Sequence, residues 1–334
     1  MGLKETEQLT RMTAAAALSR GVCTLAELGV ADHIQSGLPQ TVDKLARATG
    51  SHEDSLYRLM RFTASYGVFR ETERRAFDHT ALSAALRTDA EGSFRPAARM
   101  FHRMFPGWNG IHHAVQTGGP SFEHVFGLPL FDYIGKHLEL APLFDAGMTA
   151  FHGHETAAML DAYDFNGIQT LADVGGGNGS LLTTVLQRYP QIKGLLYDLG
   201  HVAGRAREAI QAAGLQLRCS VVEGSFFDAV PPGADAYLMR HVLHDWTDEQ
   251  CVQILRNCRK VIPSHGRVLI VEFSVPPANE ASLGKDADMI MLAFPGGKER
   301  TNEEYRALYE ASGFRLHGVT PTRSAVCVVE GRPS

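Results

Sequence analysis

From residue 167 onward, short apolar runs alternate with segments whose apolar residues recur at helical spacing. The runs are Thr170–Val174, Gly194–Asp198, Leu217–Glu223, Ala234–Arg240 and Arg267–Ser274, and the alternation predicts parallel strands with helices on both faces of one sheet. The last two runs, Gly313–Thr320 and Ala325–Glu330, are joined only by a short link from Pro321 to Ser324. A link of that length cannot carry a crossover, so these two strands are predicted to pair antiparallel.

The amino-terminal part reads differently. From Glu5 to about Leu28, Leu9, Met12, Ala16 and Leu25 recur at helical spacing among alanines, which predicts helices packed closely on one another or on a partner chain. Two short amphipathic helices follow, Thr41–Thr49 with Gly50 as its stop and Ser55–Ala64. With Tyr66–Arg70 and a charged, hairpin-like stretch to Phe77 they resemble a winged helix-turn-helix. A DNA reader would use Arg58 and Arg61 against phosphates, but Leu56, Leu59, Met60 and Phe62 crowd the same helix and Glu53, Asp54, Glu71 and Glu73 flank it. Packing and dimerisation are the favoured role.

Between about Asp89 and Asp164 the chain is rich in aromatic residues, histidine and methionine, including Phe101, Trp108, Phe122, Phe126, Tyr133, Phe144, Met148 and Phe151. His112-His113 and His152-x-His154 lack the acidic or cysteine companions of a metal site, so no metal is expected. Some of the aromatic and methionine side chains are read as the wall of an apolar pocket for a flat substrate.

Composition narrows the class. The 334 residues allow two domains and a sizeable core, and the formal net charge of -5 gives no general reason to expect a nucleic acid or membrane-surface partner. Five scattered cysteines without C-x-x-C spacing argue against a disulfide framework and fit a reducing cytoplasm. The start, with mixed charges and a short alanine-rich patch, supports neither a signal peptide nor a membrane span.

Candidate chemistry begins at Leu171–Ser180, LADVGGGNGS, read as strand, tight turn and helix start. Asp173, Gly175, Gly177 and Gly179 satisfy D-x-G-x-G-x-G, whereas the dinucleotide fingerprint would need glycine or alanine where Ser180 stands. Asp198 closes the second run, where an acidic side chain can accept both ribose hydroxyls of a nucleoside. Ser225 and Phe226 follow the third run, placed to border an adenine. The fourth run leads into RHVLHDWTD, and Thr247 with Gln250 makes a capping box that starts a helix Asp248–Val261 and leaves His244 just ahead of it. His241 and His244 have H-x-x-H spacing but no further ligand nearby, so one histidine is preferred as a base.

ADVGGGNG, YDL, EGSFFDAVP, YLMRHVLHDWTD, ILRNCRKVIP, GRVLIVE and PGGKERTNEEYRALYEASGF, in that order, resemble the plant caffeic-acid-type and bacterial small-molecule O-methyltransferases over nearly the whole chain. The resemblance implies an α/β fold: a Rossmann-like class I methyltransferase sheet with a terminal antiparallel strand, plus an amino-terminal, mainly helical dimerisation domain containing a winged helix. It places the dimerisation part at 1–98 and the catalytic part, with its substrate-binding helices, at 99–334. It also implies S-adenosylmethionine as donor, S-adenosylhomocysteine as product, no metal, a homodimer, and transfer to an aromatic hydroxyl in natural-product biosynthesis, phenazine or polyketide type. His244 falls on the general base, with Glu272 and Glu299 flanking and holding it. Cofactor contacts carry over to Gly175, Asp198, Phe226 and Arg240, the last where many relatives have lysine, and Asp173, Gly177 and Ser225 join them by their position alone. Substrate contacts are assigned to Trp108, Phe144, Met148, Asp245, Met291 and Phe294.

Two departures matter. Ser225-Phe226 replaces an Asp-Met pair of the plant enzymes, and Phe294 stands near where those have His-Asn, which favours a more apolar acceptor than a phenylpropanoid. The alternatives are a family member with altered chemistry (N-methylation, decarboxylation or hydroxylation) and a winged-helix DNA-binding regulator. His244, Glu272 and Glu299 together speak against altered chemistry.

Overall fold

A computed structural model describes residues 2–73 and 75–334. The chain divides into two compact units, Met1–Phe105 with His137–Gly153 and Pro106–Lys136 with His154–Ser334.

In the first unit, helices Ala15–Leu28, Val42–Thr49 and Glu53–Ala64 bury their apolar stripes in a core around Leu25, Ile34, Leu45, Met60, Phe69 and Phe77. A small sheet of β1 (Gln40–Thr41), β2 (Phe69–Thr72) and β3 (Ala76–His79), in the order β1-β3-β2, supplies the wing. Helix Leu3–Thr13 departs from the expected close packing within the chain. It buries none of its residues, and Leu3, Leu9 and Met12 stand exposed.

The second unit holds a seven-stranded sheet of β4 (Thr170–Val174), β5 (Lys193–Asp198), β6 (Cys219–Glu223), β7 (Ala236–Arg240), β8 (Arg267–Phe273), β9 (Phe314–Pro321) and β10 (Val326–Pro333), in the order β6-β5-β4-β7-β8-β10-β9. β4 to β8 pair parallel, and β10 pairs antiparallel with both β8 and β9. The apolar runs are continuous because both faces are covered: Leu171, Leu196, Leu238 and Leu269 belong to one core, Val174, Tyr237, Met239 and Ile270 to the other. Each such side chain, fully buried, contributes roughly 1.5–3 kcal/mol of apolar transfer.

Strand order reverses between β4 and β7: from β4 the chain winds through β5 to β6, and from β7 through β8 in the other direction. Loops at the carboxyl ends of two such strands diverge and leave a crevice, where sheets of this kind bind ligands. Asp173 lies near the end of β4 and the glycines follow it; Arg240 ends β7, and His241 and His244 follow it.

Candidate active site

The glycine loop turns immediately after β4. Gly175 has φ 74°, and a Cβ there would lie 2.8 Å from Val242 Cγ2 and 3.8 Å from the Phe226 ring, so only glycine fits. The loop is fastened to the end of β5: Gly177 N–H donates to Asp198 Oδ2 (2.8 Å) and Leu199 N–H to Asp198 Oδ1 (2.7 Å). Burial raises the Asp198 pKa against these two donors. Each oxygen keeps a second lone pair able to accept a hydroxyl.

Asp173 is the site's unsettled group. Its Oδ2 is buried with no hydrogen-bond partner among the described residues. Burial pushes its pKa up to about 7, with Arg240 opposing and Asp198 adding. A buried carboxylate oxygen left unpaired is costly, and a ligand ammonium would remove that cost. Phe226 borders the same loop, its ring 4.9 Å from Phe227 and 5.9 Å from Trp246, and Asn257 Nδ2 holds the backbone of both phenylalanines by donating to their carbonyls. Ser225 Oγ accepts the Phe227 N–H at 3.3 Å, which leaves its hydroxyl proton to donate. A carboxylate lacking an ammonium, a carboxylate suited to a diol and an aromatic edge fit the amino acid, ribose and adenine of S-adenosylmethionine. Arg240 donates from Nη1 to Thr156 Oγ1 (2.7 Å) and acts on Asp173 through its charge.

After β7 a short helical turn, Leu243–Asp245, carries His244, whose side chain is 5% exposed. Its Nδ1 lies 2.6 Å from Glu299 Oε1. A carboxylate there accepts the Nδ1–H hydrogen bond and leaves Nε2 as the basic nitrogen. Asp245 Oδ1 stands 3.6 Å from that nitrogen. Burial disfavours the imidazolium, but Asp245, Glu299 and Glu272 outweigh it and push the His244 pKa up to about 10. Asp245 is itself raised to about 7 by burial, with His244 opposing.

Glu272 requires a correction. It does not bond the imidazole: Oε1 accepts the backbone N–H groups of Val242, Leu243 and His244 at 3.1, 2.7 and 3.1 Å, and Oε2 accepts the Tyr305 hydroxyl at 2.7 Å. It therefore fixes the backbone that carries His244 and touches the ring only through its field. Arg300 completes the enclosure from the carbonyl side, donating to Leu243 O (3.0 Å) and Trp246 O (2.8 Å), with Asp248 neutralising its charge. Gly297 is required here because a Cβ would overlap the His244 carbonyl oxygen.

Of the residues assigned to the acceptor, Trp108 meets Phe294 edge-on at 5.4 Å, and Phe122 lies 5.9 Å from the same ring. Phe294 is 2% exposed and Met291 8%, so both are buried, while Trp108 is half-buried. Phe144 and Met148 are half-buried in the first unit.

Residue types alone missed Glu155, Thr156, Asn257, Arg300 and Tyr305. A faint signal existed for Glu155, an acidic residue opening the apolar run Thr156–Leu160. None existed for Arg300, which sits in a charged triplet that reads as solvated surface and is fully buried.

Residues 108–315 match the family described as O-methyltransferase domain, and residues 11–89 the O-methyltransferase dimerisation domain. The chain is 40% identical over 317 residues to a phenazine O-methyltransferase of Lysobacter antibioticus, covering 95% of this chain and 93% of that protein. Among solved structures it is similar to LaPhzM, with TM-score 0.91, 39% identity and coverage of 98% and 99% of the two chains. It is also similar to NcsB1 of neocarzinostatin biosynthesis, solved with S-adenosylmethionine and 2-hydroxy-5-methyl naphthoic acid, with TM-score 0.82, 32% identity and coverage of 95% and 96%. A seven-stranded sheet with an inserted antiparallel strand, a donor loop that matches the cofactor's groups and a family match across most of the chain converge on one assignment: this protein belongs to the S-adenosylmethionine-dependent O-methyltransferases.

Proposed function

We propose that the protein methylates a hydroxyl of a flat, polycyclic or heteroaromatic small molecule, with His244 as general base. The observation that carries this reading is the His244–Glu299 pair: Nδ1 is engaged at 2.6 Å, so Nε2 is the nitrogen left to take the acceptor's proton. A phenol with pKa about 10 is mostly neutral at pH 7 and needs such a base. The bound S-adenosylmethionine supplies an electrophilic methyl on a sulfonium. His244 Nε2 takes the phenolic proton, the phenolate oxygen forms the new O–C bond, and the bonding pair of the broken S–C bond stays on sulfur as S-adenosylhomocysteine. Glu299 stabilises the imidazolium, Asp245 offers an acceptor for a second polar group of the substrate, and Trp108 with Phe294 supplies an aromatic wall. The phenazine and naphthoic acid named for two relatives support a fused-ring acceptor.

Residues 1–98 carry dimerisation in this reading and residues 99–334 the chemistry. The exposed row Leu3, Leu9 and Met12 suits a second copy of the chain. Among the described residues no helix is long and apolar enough to cross a membrane, and a cytoplasmic location fits the free cysteines.

Incubation with isotopically labelled S-adenosylmethionine and a panel of phenazine, naphthalene and single-ring phenols, followed by mass spectrometry, tests the acceptor class. Labelled methyl ethers are expected from the fused rings; turnover of single-ring phenols alone would reject the class. Donor binding has its own check. Asp173 must be ionised to hold an ammonium, so below pH 7 the affinity for S-adenosylhomocysteine is expected to fall by about tenfold per unit. Asp173→Asn is expected to bind about 10- to 100-fold more weakly and to lose that pH dependence, measurable by titration calorimetry.

A further inference from the structure

Beside the base stands a second histidine–carboxylate pair that the reaction as described does not use. His241 follows directly on β7, and its backbone is left-handed (φ 52°), a conformation that costs a residue bearing a Cβ. Consecutive side chains of an extended strand point to opposite faces. Here the turn sends both to one helix: Arg240 reaches Thr156 Oγ1 at 2.7 Å, and His241 Nε2 lies 2.7 Å from Glu155 Oε2. The His241 and Glu155 side chains are 5% and 2% exposed, so water screens the pair little. The His241 ring in turn lies 5.0 Å from the His244 ring, tilted by 36°, with Phe273 at 5.4 Å.

The charges facing the two rings come from several elements. His244 faces Asp245 of its own segment, Glu299, and Glu272 of β8, which is bonded to Tyr305. His241 faces Glu155, which also acts on Arg240, and Asp173 of β4 acts on Arg240 as well. Three carboxylates hold a proton on His244, whereas a general base has to be free of its proton when the acceptor arrives. A like charge next to the ring opposes that protonation, and Glu155 is placed to keep one on His241.

We propose that Glu155 holds His241 as an imidazolium, and that this cation beside the His244 ring disfavours the protonated form of the base. His241 and Glu155 are then positioning residues that act through His244, and the inference rests on the reading of His244 as base. It adds to the donor's own sulfonium a resident positive charge that the protein controls.

The direct test needs no variant. In ¹⁵N-histidine spectra of the full-length protein saturated with S-adenosylhomocysteine, both ring nitrogens of His241 are expected to be protonated at pH 7.5; a neutral tautomer would overturn the proposal. His241→Phe keeps a ring against His244 but removes the imidazolium and leaves the Glu155 carboxylate in place. The titration midpoint of His244 is then expected to rise by about one pH unit, with kcat/KM about tenfold lower at pH 7 and the difference closing only as the pH passes the raised midpoint. Adding Glu155→Gln removes the negative charge that the imidazolium balanced and is expected to return most of that loss. A double variant no better than His241→Phe, or a loss independent of pH, means that the pair only packs and rejects the idea. Full activity of His244→Ala would instead remove the general-base reading, and the nitrogen spectra would still report the charge on His241.

Discussion

His244→Ala is expected to lower kcat by about two to four orders of magnitude, the usual worth of a general base. Affinity for S-adenosylhomocysteine should stay within a few-fold of the parent, because the donor loop is fastened to Asp198 and Asn257 holds the Phe226 segment, neither through the imidazole. Rapid-quench turnover together with calorimetry separates the two quantities. The structure also specifies how the loss depends on the acceptor. A substrate already ionised at the assay pH needs no proton removed, so the variant should recover rate on acidic phenols such as nitro-substituted ones. Equal losses on acidic and ordinary phenols would show that the histidine aligns the acceptor without taking its proton.

Glu272→Ala is expected to cost at least about 3 kcal/mol of stability, because it orphans several buried donors at once. Three backbone N–H groups and the Tyr305 hydroxyl all end on this one carboxylate. Glu272→Gln keeps one oxygen for the backbone and should lose much less. Tyr305→Phe removes a single donor, and about 1 kcal/mol is expected. Urea unfolding of the three variants gives the comparison, and similar midpoints for alanine and glutamine would contradict the hydrogen-bond account. Activity should fall with stability in the alanine variant, since the freed segment carries His244.

Local pattern reached much of the sheet. Strand ends at Val174, Asp198, Glu223 and Arg240 are marked by apolar runs that stop at glycine or charge, and the Thr247–Gln250 capping box starts the helix where the residue types place it. Both signals act over a few residues, so the chain itself displays them. The position just beyond a parallel strand drew attention to both His241 and His244, and the HDW motif's family resemblance singled out His244. The roles of the two glutamates were not legible. Glu299, flanked by Lys298 and Arg300, is the less promising by local sequence, yet it alone bonds the ring, while Glu272 serves the backbone. Helix Leu3–Thr13 shows the limit from the other side, since its apolar residues predict packing without saying against what.

By itself, then, the sequence determined where the strands fall along the chain, the glycine loop with Asp173 and Asp198, and the candidate histidines beyond the fourth strand. Periodicity, turn chemistry and strand-end position are short-range properties that residue types carry directly. Only the tertiary structure decided which carboxylate meets which nitrogen. The orphaned oxygen of Asp173, the burial of Arg300 under the His244 segment, and the meeting of Glu155 with His241 join elements that are distant along the chain. Where a buried charge finds its partner depends on how strands and helices close on one another, and the interval between two residues does not encode that.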